Sequence, residues 1–273
     1  MLIKKSEIEK LSANIRRIID GEDIDIRDNR EGVWKILKND IHTLASLKNE
    51  QVANLQQERD TMKNTLENIS HQIKTPLTSM LLMTDLLESA PQDNSEKSAE
   101  FIANIKTGLM RLEWLSTMLL KMAKLDAGAV EFSRSRIQSS ELISLALEPL
   151  QILIDVNNQR IEILGNVELF CDKGWTAESL SNIIKNASEY SPTDSVIKIE
   201  AGENPICGWI SVTDSGTGIA KTDIPKLFKR FEGSRSDKGF GVGLPLALGI
   251  MRGQNGDIEV EGSTFTLKFY ESD

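Results

Sequence analysis

Cysteine is scarce in this sequence, with two residues, Cys171 and Cys207, among 273. They have no CxxC spacing and no histidine pair nearby, which excludes a disulfide framework and a thiolate–imidazole zinc site. The expectation is two buried apolar thiols in a reducing, cytoplasmic setting. Long apolar runs are also missing. No segment approaches the roughly 18 apolar residues of a membrane-spanning helix, and the opening Met1 to Lys5 becomes charged too soon for a secretory signal. The chain as given reads as soluble. Positive charge is in deficit, with 32 Lys and Arg against 41 Asp and Glu and a net charge of −9. A binder of phosphate backbones needs a basic face, so nucleic acid is excluded as a partner. What remains is ordinary globular composition, 40% hydrophobic and 27% charged, on a length that suits two domains or one domain with extended helices.

Three regions follow from the patterning. Residues 1–48 show helical periodicity on both sides of a charged break, Asp20 to Asn29, and read as two helices and a joint. Residues 49–127 continue an apolar series that starts at Leu47, with Val52, Leu55, Met62, Leu66, Ile69 and Ile73, then, after turn residues Ala90 to Ser95, Ile102, Ile105, Leu109, Leu112, Leu115, Leu119 and Met122. Two such helices make a hairpin, with Ser95 or Asn94 as the cap of the second. One hairpin has an apolar seam and nothing to bury it against, whereas two make a four-helix bundle, so a homodimer is expected. Residues 128–273 change grammar to short strands at 130–137, 160–164, 167–171, 195–202, 206–213, 257–261 and 264–270, with helices at 139–156, from Thr176 to Tyr190 and from Val242. That is an α+β layered domain.

Chemistry concentrates in four stretches. In Asn68 to Met80, Ile69 and Ile73 share a helical stripe with Leu66, while His71 lies about 200° round from each isoleucine and so faces solvent. Pro76 removes one backbone donor and presses on the carbonyl of Gln72, typically at about 3 kcal/mol, so a kink is expected just past the histidine. Alone, an exposed histidine is an unremarkable polar residue. Asn182 and Asn186, four apart, project from one helical face, and an amide oxygen is a suitable hard ligand for Mg2+. Asp214-Ser-Gly-Thr-Gly218 follows the apolar strand Trp209 to Val212; its glycines let backbone approach a flat ring, and its carboxylate can accept from an exocyclic amine. Gly239, Gly241 and Gly243 stand at two-residue spacing before a helix whose N-terminal amides favour phosphate. This is not the GxGxxG dinucleotide spacing.

In that order, with Arg230-Phe231 between the last two, these stretches resemble the core of two-component sensor histidine kinases over nearly all of residues 50–270. The resemblance implies a phosphoacceptor at His71, with Gln72 and Thr75 beside it in the catalytic set, and the ATP-binding α/β sandwich shared with gyrase and mismatch-repair ATPases. It implies Mg2+ on Asn186, Asn182 near the phosphates, Asp214 on the adenine amine, Gly216 and Gly218 in the same loop, and Gly239, Gly241 and Gly243 in the lid. Lys185, Tyr190, Arg230 and Leu244 complete the implied ATP-binding set. Three departures are visible there: Glu189 stands where many members have a phosphate-contacting lysine, Gly233 lacks the arginine often found after the RF pair, and the last glycine motif is shortened around Glu261 to Thr264. Arg230, Lys185, Arg235 or Lys238 supplies the missing positive charge. Gln72 stands where many members carry an acidic base.

The function implied is autophosphorylation of His71 by Mg-ATP and transfer to an aspartate of a response-regulator receiver domain, with Thr75 at the position that serves dephosphorylation of the regulator. Hydrolysing relatives place a glutamate four residues before the metal asparagine; Asn182 occupies that place, and an amide is no general base, so a plain ATPase is disfavoured. The alternative is a catalytically weak ATP-binding dimer that scaffolds a regulator, suggested by Gln72 and Glu189. Residues 1–48 look like the connector that members carry between a membrane span and the kinase core, which implies an upstream membrane sensor portion.

Overall fold

Residues 5–19, 22, 33–89, 95–231 and 241–270 are described in a computed structural model. Two compact units are distinguished, Met1–Glu67 and Asn68–Asp273. In the first, helix α1 (Lys5–Ile19) buries Leu11 against Ile15, Ile41 and Ala45. The expected joint at 20–29 lies, apart from Glu22, outside the described residues.

Helix α2 (Val33–Ser89) is continuous for 57 residues. The boundary expected at 48–49 falls inside it, because Ser46 to Asn49 contain neither glycine nor proline to break the ladder. The helix also runs on through Pro76, which perturbs one backbone bond without ending the element. Helix α3 (Ser95–Asp126) meets α2 where Gly108 faces Met80: a Cβ on Gly108 would stand 2.7 Å from Met80 Cγ. The predicted seam is largely bare in the single chain, with Leu55 63%, Met62 66%, Leu66 54%, Ile102 55% and Leu109 57% exposed.

From residue 134 the chain builds two layers. A five-stranded sheet has the order β2 (Arg160–Leu164), β4 (Val196–Glu203), β5 (Gly208–Thr213), β7 (Thr264–Phe269), β6 (Gly256–Glu261); β2 and β4 are parallel, the rest antiparallel. Alternation sends Ile197, Ile199, Ile210, Val212, Phe265 and Leu267 to one face, where they bury against Leu142 and Ile143 of α4 (Ser139–Leu147), Leu180, Ile183 and Ile184 of α6 (Lys173–Tyr190), and Ala247 and Met251 of α8 (Gly243–Gly253). Both cysteines are free and buried, and burial pushes the Cys171 thiol up to about 11.

Three element boundaries differ from expectation, each for a local reason. The helix expected at 139–156 is split by a 3-10 turn at Glu148–Leu150 before α5 (Gln151–Val156), since Pro149 offers no N–H and crowds the carbonyl of Leu145. The strand expected from 130 starts at Arg134 as β1 (Arg134–Gln138), which pairs with β3 (Glu168–Asp172) in a separate two-stranded sheet. Phe132 instead packs on Trp175, ring centroids 6.0 Å apart, and the Ser133 N–H donates to Asp172 Oδ2 at 2.8 Å. Helix α6 begins three residues before Thr176 because the Asp172 carboxylate accepts the Trp175 N–H at 3.0 Å, a side-chain cap. A short helix α7 (Ile224–Leu227) was not anticipated.

Candidate functional site

His71 is exposed on α2, as its helical angle requires, and Ile69 on the neighbouring stripe is half-buried. One turn on, the Thr75 hydroxyl donates to the His71 carbonyl at 3.1 Å, so Thr75 and His71 share a helical face. Gln72 is half-buried beside them. Among the described residues no side-chain hydrogen bond or ion pair joins these three to the residues that follow.

The second cluster is organised by α6. Its buried face, Thr176, Ser179, Leu180, Ile183, Ile184 and Ala187, packs on the sheet and on α8, with the Ser179 hydroxyl donating to the Ala247 carbonyl at 3.1 Å. The opposite face therefore presents Glu178, Asn182, Lys185, Asn186 and Glu189. The Asn182 Nδ2 donates to the Glu178 carbonyl at 2.9 Å, which turns its Oδ1 toward the start of α8: a Cβ on Gly243 would stand 2.9 Å from that oxygen. Asn182 and Gly243, 61 positions apart in the numbering, thus form one cradle at a helix N-terminus, the end at which unpaired N–H groups attract anions. The half-buried Asn186 makes no side-chain hydrogen bond among the described residues, which leaves its oxygen available. An amide oxygen with phosphate oxygens and waters is a donor set that suits Mg2+.

Asp214 closes β5. Its Oδ1 accepts the Gly216 N–H at 2.7 Å, and its own N–H donates to Ser263 at 3.1 Å. Burial holds the carboxyl above the usual carboxylate range, with the Gly216 N–H opposing. A Cβ on Gly216 would stand 2.7 Å from Asp214 Oδ1 and 2.9 Å from the Tyr190 carbonyl, so the loop lies on the end of α6. Gly218 has φ +74 and packs on Gly262, whose carbonyl accepts the Ile219 N–H at 2.9 Å. The shortened motif near Gly262 is the β6–β7 turn, and it anchors the Asp214 loop.

Both expected cations among the described residues have partners in the protein. Lys185 pairs with Glu189 at 3.9 Å and stands over the Trp114 ring of α3 at 5.3 Å. Arg230 forks onto Asp126 at the end of α3, Nη1 to Oδ2 2.7 Å and Nη2 to Oδ1 2.6 Å. Gly241 has φ +65 and accepts the Phe231 N–H at 3.0 Å; Leu244 packs on the domain core; Tyr190 is exposed. Gly239, with Gly233, Arg235 and Lys238, lies outside the described residues.

Residues 61–128 match the His Kinase A (phospho-acceptor) domain family, and residues 172–273 the histidine kinase-, DNA gyrase B- and HSP90-like ATPases. The chain belongs to the sensor histidine kinases of two-component systems. Similar histidine kinases include the sensor histidine kinase WalK of Bacillus subtilis, 31% identical over 75% of this chain and 36% of that protein. The heme sensor protein HssS of Staphylococcus saprophyticus is 30% identical over 79% of this chain and 48% of its own length. The chain spans about half the length of the curated relatives it matches. In fold it is similar to the Acinetobacter baumannii histidine kinase AdeS, with TM-score 0.60, 20% identity and coverage of 74% and 98%, and to the histidine kinase ThkA solved in complex with the response regulator protein TrrA, with TM-score 0.62, 18% identity and coverage of 82% and 66%.

Sequence reasoning missed several residues that shape this histidine kinase site. Asp172 caps α6, Asp126 holds Arg230, and Lys121 of α3 reaches Glu178 of α6 at 2.6 Å. Asp172 had a readable signal, an aspartate three residues before Trp175 at the head of a helical pattern. The other two pairings join segments remote in the chain and carry no local signature.

Proposed function

We propose that this histidine kinase core uses Mg-ATP to phosphorylate His71 and passes the phosphoryl group to an aspartate of a response regulator. The observation that carries the reading is an exposed histidine on a proline-containing helix in the same chain as a glycine-bounded cradle at Asn182 and Gly243 and a half-buried carboxyl at Asp214. Asp214 accepts the adenine amine beside Gly216 and Gly218, Asn182 and the α8 amides face the phosphates, and Asn186 holds Mg2+. The bound ion supplies neutralisation of phosphate charge; the chain supplies position, with Asn182 unable to act as a base toward water. Lys185 and Arg230 are the described cations assigned to phosphate. Thr75, on the His71 face, is assigned to orient water for dephosphorylating the regulator.

The bare seam on α2 and α3 supports a homodimer that closes a four-helix bundle, with residues 1–48 as connector, 49–127 as dimerisation and phosphoacceptor domain and 128–273 as ATP-binding domain. Membrane attachment belongs to the reading only through an upstream portion; no helix among the described residues is long and apolar enough to cross a membrane.

The second reading, an ATP-binding scaffold, is favoured by Gln72 in place of an acid and by Glu189 drawing on Lys185. Incubation with γ-labelled ATP separates the two. Label that is acid-labile, base-stable and abolished by His71→Gln is expected. Binding of ATP without label supports the scaffold, and label retained in His71→Gln overturns the assignment.

A further inference from the structure

We infer that Gln159 is a positioning residue for the adenine side of the nucleotide site, an inference that rests on the nucleotide reading above. Gln159 precedes β2 and belongs to none of the four motifs, yet the residue is only 7% exposed. Helix α6 ends at Tyr190 with no basic residue in its last turn, and its C-cap Ser191 has extended backbone. Its last carbonyls therefore need partners from elsewhere. The Ser191 N–H serves the Ala187 carbonyl, and Gln159 serves Ser188 and two carbonyls just beyond the helix: Nε2 donates to the carbonyls of Ser188 at 3.0 Å, Pro192 at 3.2 Å and, more weakly, Ser191 at 3.5 Å, while Oε1 accepts the buried Ser188 hydroxyl at 2.6 Å. Asn157 adds a bond to the same hydroxyl at 3.2 Å.

The segment gripped in this way is the seat of the Asp214 loop. The Ser191 hydroxyl accepts the Ser215 N–H at 3.1 Å, the Ser215 hydroxyl donates to Val196 at 2.7 Å, and the Tyr190 carbonyl is the backbone atom against which Gly216 lies. One buried amide thus fixes the turn that joins the end of the Asn186 helix to the carboxylate assigned to adenine. A buried amide with its donors and acceptor used leaves little freedom to that turn. Its loss loosens the distance from α6 to Asp214 without touching His71.

The test measures ATP and GTP affinity by calorimetry, turnover at saturating ATP, and melting temperature on the full chain. Gln159→Met removes the bonds at similar volume, and Ile137→Ala, in the separate β1–β3 sheet, is a destabilised control. Expected for Gln159→Met is ATP affinity weaker by roughly three- to tenfold, a reduced preference for ATP over GTP, and unchanged turnover at saturation; Ile137→Ala keeps the preference. Ser191→Ala, milder for folding, shifts the preference in the same direction. Wild-type affinity and preference in both Gln159→Met and Ser191→Ala overturn the inference, as does equal loss of preference in Ile137→Ala. A wild-type chain that binds ATP no better than GTP overturns the adenine reading, and this inference with it.

Discussion

Gly243→Ala separates the nucleotide reading from fold stability. The new Cβ would stand 2.9 Å from Asn182 Oδ1, well inside the roughly 3.5 Å at which non-bonded heavy atoms attract. Asn182 can yield only by rotating, and rotation breaks its 2.9 Å bond to the Glu178 carbonyl, worth about 0.5–1.5 kcal/mol. Alanine in place of glycine within a helix returns up to about 1 kcal/mol. The two nearly cancel, so the melting temperature should move by no more than about 4 °C. Binding has no such compensation: the methyl group occupies the amide cradle, and the displaced Asn182 no longer faces phosphate. Losing one hydrogen bond to a charged group, about 1.5–3 kcal/mol, predicts ATP affinity lower by roughly ten- to hundredfold. Calorimetry and a thermal melt on one preparation check both numbers. Wild-type ATP affinity with a clear drop in melting temperature would refute the reasoning, because Gly243 would then serve packing alone.

Further outcomes follow from the same geometry. Asp214→Asn should weaken ATP binding roughly ten- to hundredfold. Burial raises the Asp214 carboxyl above its ordinary value in the free site, while adenine favours the carboxylate, so wild-type affinity should fall as pH falls through the Asp214 titration; calorimetry along a descending pH series should find no such step in the asparagine variant. Thr75→Ala should keep His71 labelling near its original rate while slowing dephosphorylation of the regulator, and equal loss of both rates would remove its separate role. Asp126→Asn frees Arg230 from a partly exposed fork, so ATP should bind more tightly by up to roughly fivefold at low salt and without difference at high salt. Unchanged low-salt affinity would mean that Arg230 does not serve phosphate.

Elements with strong alternation were legible in the sequence: β4, β5, β6 and β7 lie within a residue or two of expectation because each buries one face on the same helices. The break at Pro149 was lost because apolar spacing continues on both sides of it, and periodicity outweighed a single missing donor. Asn182, Asn186, Asp214 and Gly243 stood out because helix and turn grammar advertises them locally. Gln159, Asp126 and Ser191 did not, since what defines them is partners 29, 104 and 24 positions away. A polar side chain before a strand or at a helix end has many possible destinations, and only the packed domain selects one.

The face of α6 whose residues are assigned to nucleotide also faces α3. Lys121 meets Glu178, one turn before Asn182; Trp114 underlies Lys185; and Asp126 holds Arg230. Beneath these polar contacts Met118 and Met122 of α3 pack with Val242, Leu246 and Ile250, so the same helix α8 whose N-terminus is assigned to phosphate lays its side on the hairpin. Two of the cations assigned to ATP therefore have a second claimant in the helix that pairs with the phosphoacceptor helix. A ligand that draws Lys185 or Arg230 to itself must weaken their hold on α3, and reciprocity requires α3 to weaken the ligand by the same factor. Each pair is half-exposed and worth little alone. The apolar seam carries no charge for a phosphate to draw on, so on this assignment nucleotide should act on the polar rim of the contact and leave its core in place.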